Sequence, residues 1–201
     1  MDFIETLTDL EALYGTPGPA ALRKVAGRMT PEYRRWIMAS RFCVVSTVGP
    51  GGADGSPRGD DGPVVLELDP GTLALPDWRG NNRIDTLRNI VEDGRIALMF
   101  FVPGSNNVVR VNGTARLTAD PGMLRRFDRN GALPRTVTVI RISEIYSQCA
   151  RALMRSRFWT AGDESAGLPT VGEILDAMTR GEIDGASYDA EWPGRAAASL
   201  W

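Results

Sequence analysis

The stretch Asp77-Trp78-Arg79-Gly80-Asn81-Asn82-Arg83-Ile84-Asp85 concentrates groups that bind anions. A β-rich run ends at Asp77, a Gly-Asn-Asn turn follows, and a helical pattern starts at Asn82. The first turn of a helix presents N–H groups without intrahelical acceptors and a partial positive charge, so it holds phosphate readily. Asn81 or Asn82 is expected to cap this helix. Arg79 and Arg83 flank the corner, and their guanidinium groups can fork onto a phosphate. The same spacing fits a capped surface helix with solvated arginines, because such caps are common. A second group lies at Asp54-Gly55-Ser56-Pro57-Arg58-Gly59-Asp60. Ser56 and Arg58 alternate around Pro57 and share one face of an extended strand. Pro57 marks an edge or a bulge, where backbone groups stay free to meet a ligand. By itself this segment reads equally as a polar hairpin tip.

What is missing narrows the chemistry. The 201 residues contain no histidine. That removes His-based triads, His-metal sites and His-ligated haem. No motif for a carboxylate-held metal or for a Lys or Cys nucleophile takes their place. Chemistry carried by an organic cofactor gains weight, since the protein then supplies binding and orientation. The two cysteines, Cys43 and Cys149, are far apart and read as reduced thiols. Cys43, between Phe42 and Val44, reads as a small buried apolar residue. Arg151 and Arg155 near Cys149 leave a minor redox role open there.

A net charge of −2 exerts no global pull on nucleic acid or anionic membrane, and neither is expected as a partner. The longest apolar run, Ile96 to Val102, has strand length, far below the roughly 20 residues of a membrane helix. Met1-Asp2-Phe3-Ile4-Glu5 lacks an export-signal pattern, so a cytoplasmic location is expected.

The elements that must position these groups follow from periodicity. Phe3, Leu7, Leu10 and Tyr14 recur at helical spacing, and Gly15-Thr16-Pro17-Gly18-Pro19 ends that segment. Leu22, Val25, Ala26 and Met29 suggest a second helix. Thr30-Pro31 reads as the cap and first position of a third, with Tyr33, Trp36, Ile37 and Ser40 inward. From Arg41 the period changes to two. Strands are expected at 41–48, 53–58, 63–68, 72–77, 96–102, 107–118 and 135–142, with a helix over 82–92 and a short one after Asp120-Pro121. Val109, Val111, Gly113, Ala115 and Leu117 form one face of their strand; Arg110 and Asn112 lie on the other, where they either line the ligand groove or, as the favoured reading, meet solvent or a second copy. Ala150, Leu153, Met154 and Phe158 suggest a further helix, as do Val171, Ile174, Leu175 and Met178. From Gly181 onward the chain is rich in Gly, Ala and acid and is expected to be loosely ordered. Trp192 and Trp201 either tuck against the barrel or stay mobile, and whether the tail covers the site is left open. The predicted fold is mainly β (α+β): a six- to seven-stranded antiparallel split β-barrel with N-terminal helices, one inserted helix and a C-terminal helical tail. Residues 1–40 form the N-terminal extension, 41–159 the barrel and 160–201 the tail.

These motifs in this order resemble the pyridoxamine 5′-phosphate oxidase-like FMN-binding split barrels. The likeness covers about Tyr33 to Trp159. It is similar to an actinobacterial-type branch with Arg-Gly-Asn-Asn-Arg and Cys-Ala-x-Ala-Leu-x-Arg-Ser-x-x-Trp segments, here Arg79 to Arg83 and Cys149 to Trp159. The resemblance implies that Arg79, Asn81, Asn82 and Arg83 grip the FMN phosphate, with Leu87 as a core residue. It implies that Ser56, Pro57 and Arg58 lie beside the isoalloxazine and ribityl chain, and Asp77 and Trp78 near the ring. It further implies a homodimer with the cofactor at the interface, so that Ser147, Gln148, Trp159, Arg155 and Arg157 reach the partner's FMN. Genuine pyridoxamine phosphate oxidases end in a substrate segment using Arg and His. This chain has no His, so that substrate is not expected. The implied function is an FMN-dependent oxidoreductase acting on an unidentified small molecule, with no dedicated acid or base assigned. A deazaflavin-dependent reductase on the same fold, or a flavin-binding sensor or storage protein without turnover, are the alternatives.

Overall fold

The computed structural model describes residues 1–201. Three helices lead: α1 (Leu7–Tyr14), α2 (Pro19–Arg23) and α3 (Pro31–Met38). The barrel follows as β1 (Phe42–Gly49), β2 (Gly52–Gly59), β3 (Leu66–Asp69), β4 (Thr72–Asp77), α4 (Asp85–Glu92), β5 (Arg95–Phe101), β6 (Val108–Thr118), α5 (Pro121–Arg125) and β7 (Thr136–Gln148). The tail holds α6 (Arg151–Arg155), α7 (Val171–Thr179) and α8 (Gly185–Ala198). All seven strands join one antiparallel sheet in the order β2-β1-β5-β6-β7-β4-β3. No helix is long and apolar enough to cross a membrane.

Alternation decides which face of each strand is covered. Cys43, Val45 and Thr47 of β1, Ile96, Leu98 and Phe100 of β5, and Val109, Val111 and Ala115 of β6 all point into the core. β4 differs, with Leu73 to Pro76 buried in succession, as expected of a strand covered on both sides. The predicted last strand stops at Ile142, whereas β7 runs on to Gln148. Its alternation breaks because Ser143 is an extra residue: Asn112 faces Glu144 while Gly113 faces Ile142. A bulge of this kind shifts the phase by one, so that Ile140 and Ile142 are followed inward by Ile145. Gly113 is required there, since a Cβ would stand 2.1 Å from the Arg141 carbonyl oxygen.

The segment before the barrel is partly built into it. The expected helix over Leu22 to Met29 ends at Arg23, because the chain then pairs with the sheet: Ala26 and Ile145 exchange backbone hydrogen bonds of 2.9 and 2.7 Å. Met29 and Ile37 are buried in the main core cluster. Thr30 caps α3 as expected, accepting from the Tyr33 N–H, with Pro31 at the first position.

The tail is more ordered than its composition suggests. The stretch after Gly181, expected to be loose, contains the 14-residue α8 despite Pro193 inside it. Asp184 caps it, accepting from the N–H groups of Ala186 and Ser187. Gly172 and Gly185 then let α7 and α8 touch backbone to backbone, where a Cβ on Gly172 would stand 2.1 Å from the Gly185 carbonyl oxygen.

Gly113→Ala is expected to lower the unfolding free energy by about 2 kcal/mol or more, through the forced shift of β7. Gly55→Ala, whose Cβ would meet open space, is expected to stay within about 0.5 kcal/mol of the parent. Urea denaturation of the two variants checks both values.

Candidate functional site

The sheet leaves a cavity of about 790 Å³ between the end of β2 and the end of β4. β2 contributes Ser56, Pro57 and Arg58; β4 and the loop after it contribute Asp77, Trp78, Arg79, Asn81, Asn82 and Arg83. These residues, singled out from two separated segments, all line this one cavity. The size lies within the usual 300–1,000 Å³ of ligand pockets.

Polar bridges hold the two sides of the gap. Arg58 reaches across from β2 to within 3.7 Å of Asp77 on β4. Its guanidinium also donates to the Pro57 carbonyl at 2.9 Å and to the Ser56 hydroxyl. Asp60 follows β2 and its carboxylate is almost fully buried, at 4% exposure. It accepts from the Trp78 indole N–H at 3.2 Å and from Arg129. Arg129 also binds Asp61. Burial raises the Asp77 carboxyl above the ordinary aspartate value, against the opposing pull of Arg58 and Arg135.

The corner expected to bind an anion is assembled differently from the expected cap. The residue preceding α4 is Ile84, and no side chain caps the helix. The Asn81 side chain instead accepts from the Arg83 N–H at 3.0 Å, closing a turn two residues too early to reach the first helical turn. Asn82 adopts the left-handed conformation, with φ of 61°, and accepts from Arg135 at 2.7 Å. The first-turn N–H groups of α4 therefore lack a side-chain acceptor. Arg79, Arg83 and Arg135 are all exposed around this corner. Arg83 also contacts Asp85 at 3.1 Å, but both side chains are mostly in water, so the pair is weak and free to reorganise. α4 itself is fixed: Asn89 donates to Thr47 at 3.2 Å and Thr86 donates to Asp54. Leu87 is half-buried and faces the cavity.

Three expected residues lie away from this cavity. Ser147 and Gln148 end β7, opposite Val109 and Val108. The Ser147 backbone anchors the N-terminal segment, accepting from Lys24 and donating to the Tyr33 hydroxyl. Trp159 donates its indole N–H to the Ser105 carbonyl at 2.7 Å. Arg155 and Arg157 are likewise absent from the cavity lining. Arg110 and Asn112 line a separate groove of about 580 Å³, where Asn112 links Arg110 to Glu144.

Sequence reasoning missed Asp60, Asp61, Arg135, Thr136, Leu200 and Trp201 among the lining residues, and Arg129 behind them. Arg135 stands at the start of a predicted strand, and Asp60 at the edge of a noted segment. Nothing in their local spacing connects them to the Arg79–Arg83 corner: the sheet order brings Asp60, Arg135 and Thr136 near it, and the tail brings Leu200 and Trp201. Cys43 is buried and its thiol is pushed up to about 12 by desolvation, so it stays protonated and acts as a small apolar side chain.

A family model described as pyridoxamine 5′-phosphate oxidase matches residues 29–149. The chain belongs to the pyridoxamine 5′-phosphate oxidase family. No curated protein matches its sequence significantly. Among solved structures, HupZ of Group A Streptococcus is similar over 59% of this chain and 93% of its own, with 19% identity and a TM-score of 0.50. A candidate pyridoxamine 5′-phosphate oxidase from Lactobacillus delbrueckii matches 60% of this chain and 95% of its own, at 21% identity and a TM-score of 0.49. An FMN-binding protein from Syntrophomonas wolfei matches 58% of this chain and 88% of its own, at 14% identity and a TM-score of 0.43. At such identities the HupZ likeness speaks to the split-barrel fold alone. The family match begins at Met29, which agrees with the packing of Met29 and Ile37 into the barrel core.

Two outcomes follow from the seam. The raised Asp77 pKa means that the folded chain holds that proton to higher pH than the unfolded chain does. Stability is therefore lost as pH rises from the ordinary aspartate value, about 3.9, through the raised native one. Relative to Asp77→Asn, the parent is expected to lose stability across that interval and then level off, as read from urea midpoints at stepped pH. Arg129→Met removes the only charged donor to the Asp60 carboxylate, leaving it the Trp78 indole and Gly62 backbone N–H groups. With Arg129 about a third exposed, the loss is expected to be about 2 kcal/mol, below the range for fully buried pairs.

Proposed function

We propose that the chain is an FMN-dependent oxidoreductase acting on a small molecule. The observation that carries this reading is the convergence of Arg79, Arg83 and Arg135 on the uncapped start of α4, in the same cavity as the Ser56–Arg58 strand. Three guanidinium groups and free helix N–H donors suit a dianionic phosphate. The backbone at Gly80 is open to close approach, since a Cβ there would meet nothing within 4 Å. From that anchor, the cavity leads along Ser56 and Pro57 to Trp78, giving a polar strand edge on one side and an aromatic surface on the other. Family membership supports the same cofactor class.

FMN, when bound, supplies hydride or electron transfer at its ring. The chain's own residues bind and orient. Arg79, Arg83 and Arg135 would hold the phosphate, while Arg58 is fixed against Asp77 and the Asp60–Trp78 hydrogen bond locks the indole in the same cavity. Hydride transfer needs no dedicated acid or base, which accords with a chain without histidine. We further infer a homodimer. The outer face of β1 and β5 presents Phe42, Val44, Met99 and Phe101 incompletely covered, a surface that a second copy suits.

The test compares FMN with riboflavin, which lacks the phosphate. FMN is expected to bind much more tightly. Arg79→Ala, Arg83→Ala and Arg135→Ala are each expected to weaken FMN by about 10- to 100-fold, the value of a charge-assisted hydrogen bond, and to leave riboflavin unaffected. Equal affinity for the two flavins in the parent chain would overturn the phosphate site. A deazaflavin bound in preference to FMN would shift the cofactor, and bound FMN that no nicotinamide reduces would favour a sensor.

A further inference from the structure

The cavity's outer end is covered by the end of the tail. Leu200 and Trp201 line it, after α8 has ended at Ala198. The Trp201 ring meets Trp78 edge to face, with centroids 5.3 Å apart at 81°. The Arg129 guanidinium lies over the Trp201 ring, 4.7 Å from its centroid. Arg129 and Trp78 are both tied to the buried Asp60 carboxylate. Trp201 is thus gripped by two groups whose positions one carboxylate sets.

The rest of the tail makes little use of the barrel. The only buried residues of α7 and α8 are Gly172 and Gly185, and both are spent on the contact between these two helices. Val171, Ile174 and Met178 of α7 remain largely in water. Within the pair the join is firm: Asp189 of α8 accepts from the Gly172 N–H at 2.9 Å and from the Thr170 hydroxyl. At its start the tail is pinned by the Trp159–Ser105 hydrogen bond. The tail is therefore a joined pair of helices, an arm tied to the barrel at Trp159 whose far end rests on the cavity through aromatic and cation–π contacts. Each contact of that kind is modest and reversible.

We propose that Trp201 is a latch: it closes the ring end of the cavity between Trp78 and Arg129, and a flavin enters or leaves only when the arm swings it away. The latch rests on the flavin reading for its ligand alone. Lid movements of this kind run on microseconds to milliseconds. A gate differs from a fixed wall in its kinetics, because opening limits entry and exit alike.

The test measures FMN association and dissociation by stopped-flow fluorescence for the parent, Trp201→Ala and Trp201→Phe. Relaxation dispersion at the Trp78 and Trp201 indole N–H groups is recorded without flavin. For Trp201→Ala, both rates are expected to rise about tenfold, with the Kd changed less than about threefold, as expected when a contact of one or two aromatic interactions is removed from the closed state. Trp201→Phe, which keeps a smaller ring, is expected to fall between. Millisecond exchange at Trp78 in the parent is expected to vanish in Trp201→Ala. A rise in dissociation alone would make Trp201 a static wall and overturn the latch, as would unchanged rates. Should the parent bind no FMN, the flavin reading fails by itself; the latch is then judged on the indole signals, and their lack of exchange overturns it.

Discussion

Asp60 is a nearly buried carboxylate at the gap between β2 and β4, and the walls of the cavity are arranged around satisfying it. An unpaired charge at such a position is costly, so a folded chain must bring it donors. Arg129 arrives from the loop after α5 and Trp78 from the loop after β4, two segments with no reason of their own to meet. The gap is therefore bridged by directional contacts where backbone ladders run out. Arg58 and Asp77 add a second bridge beside it. A sheet sealed by backbone hydrogen bonds would have left no cavity; one with an unbridged gap would have exposed Val64 and Leu75, which lie beneath it.

The anion corner shows the opposite strategy. Its arginines are exposed and weakly engaged, and its helix start is left without a side-chain cap. Groups that are poorly satisfied by the protein itself are those with most to gain from a ligand. Firm placement is supplied from behind, where Asn89 and Thr86 tie α4 to the β1–β2 hairpin and Gly49 admits the Asn89 side chain closely. Rigid support and available donors are thus carried by different residues.

Much of this was legible in the sequence because it is local. The strand-to-helix corner, the Ser56–Arg58 face and the Thr30–Pro31 helix start each occupy a few consecutive positions, and each recurs in the structure at those residues. The cap was misread because Asn81 has a nearer partner in the Arg83 N–H, a competition that spacing does not rank. The end of β7 was hidden by Ser143, which interrupts the period of two. α8 was hidden by Pro193 and its glycines, whose low helix propensity is outweighed by the Asp184 cap and the close fit to α7. Arg129, Arg135 and Trp201 could not be found from neighbours in the chain, since the pairing of β7 with β4 brings Arg135 beside Asp77 and the packing of the tail brings Trp201 against Trp78 and Arg129.

β2 and β3, the margins of the sheet, also bear on how copies of this chain behave in a crowded solution. A margin with free peptide groups invites a neighbouring strand to dock and nucleate aggregates. β3 limits that hazard by brevity, at four residues, and by its acidic Glu67 and Asp69. β2 is twice as long, yet its Pro57 has no N–H to offer and its glycines provide little surface for lateral packing. The residues that leave this margin bare of side-chain packing thus make it a poor template for another polypeptide.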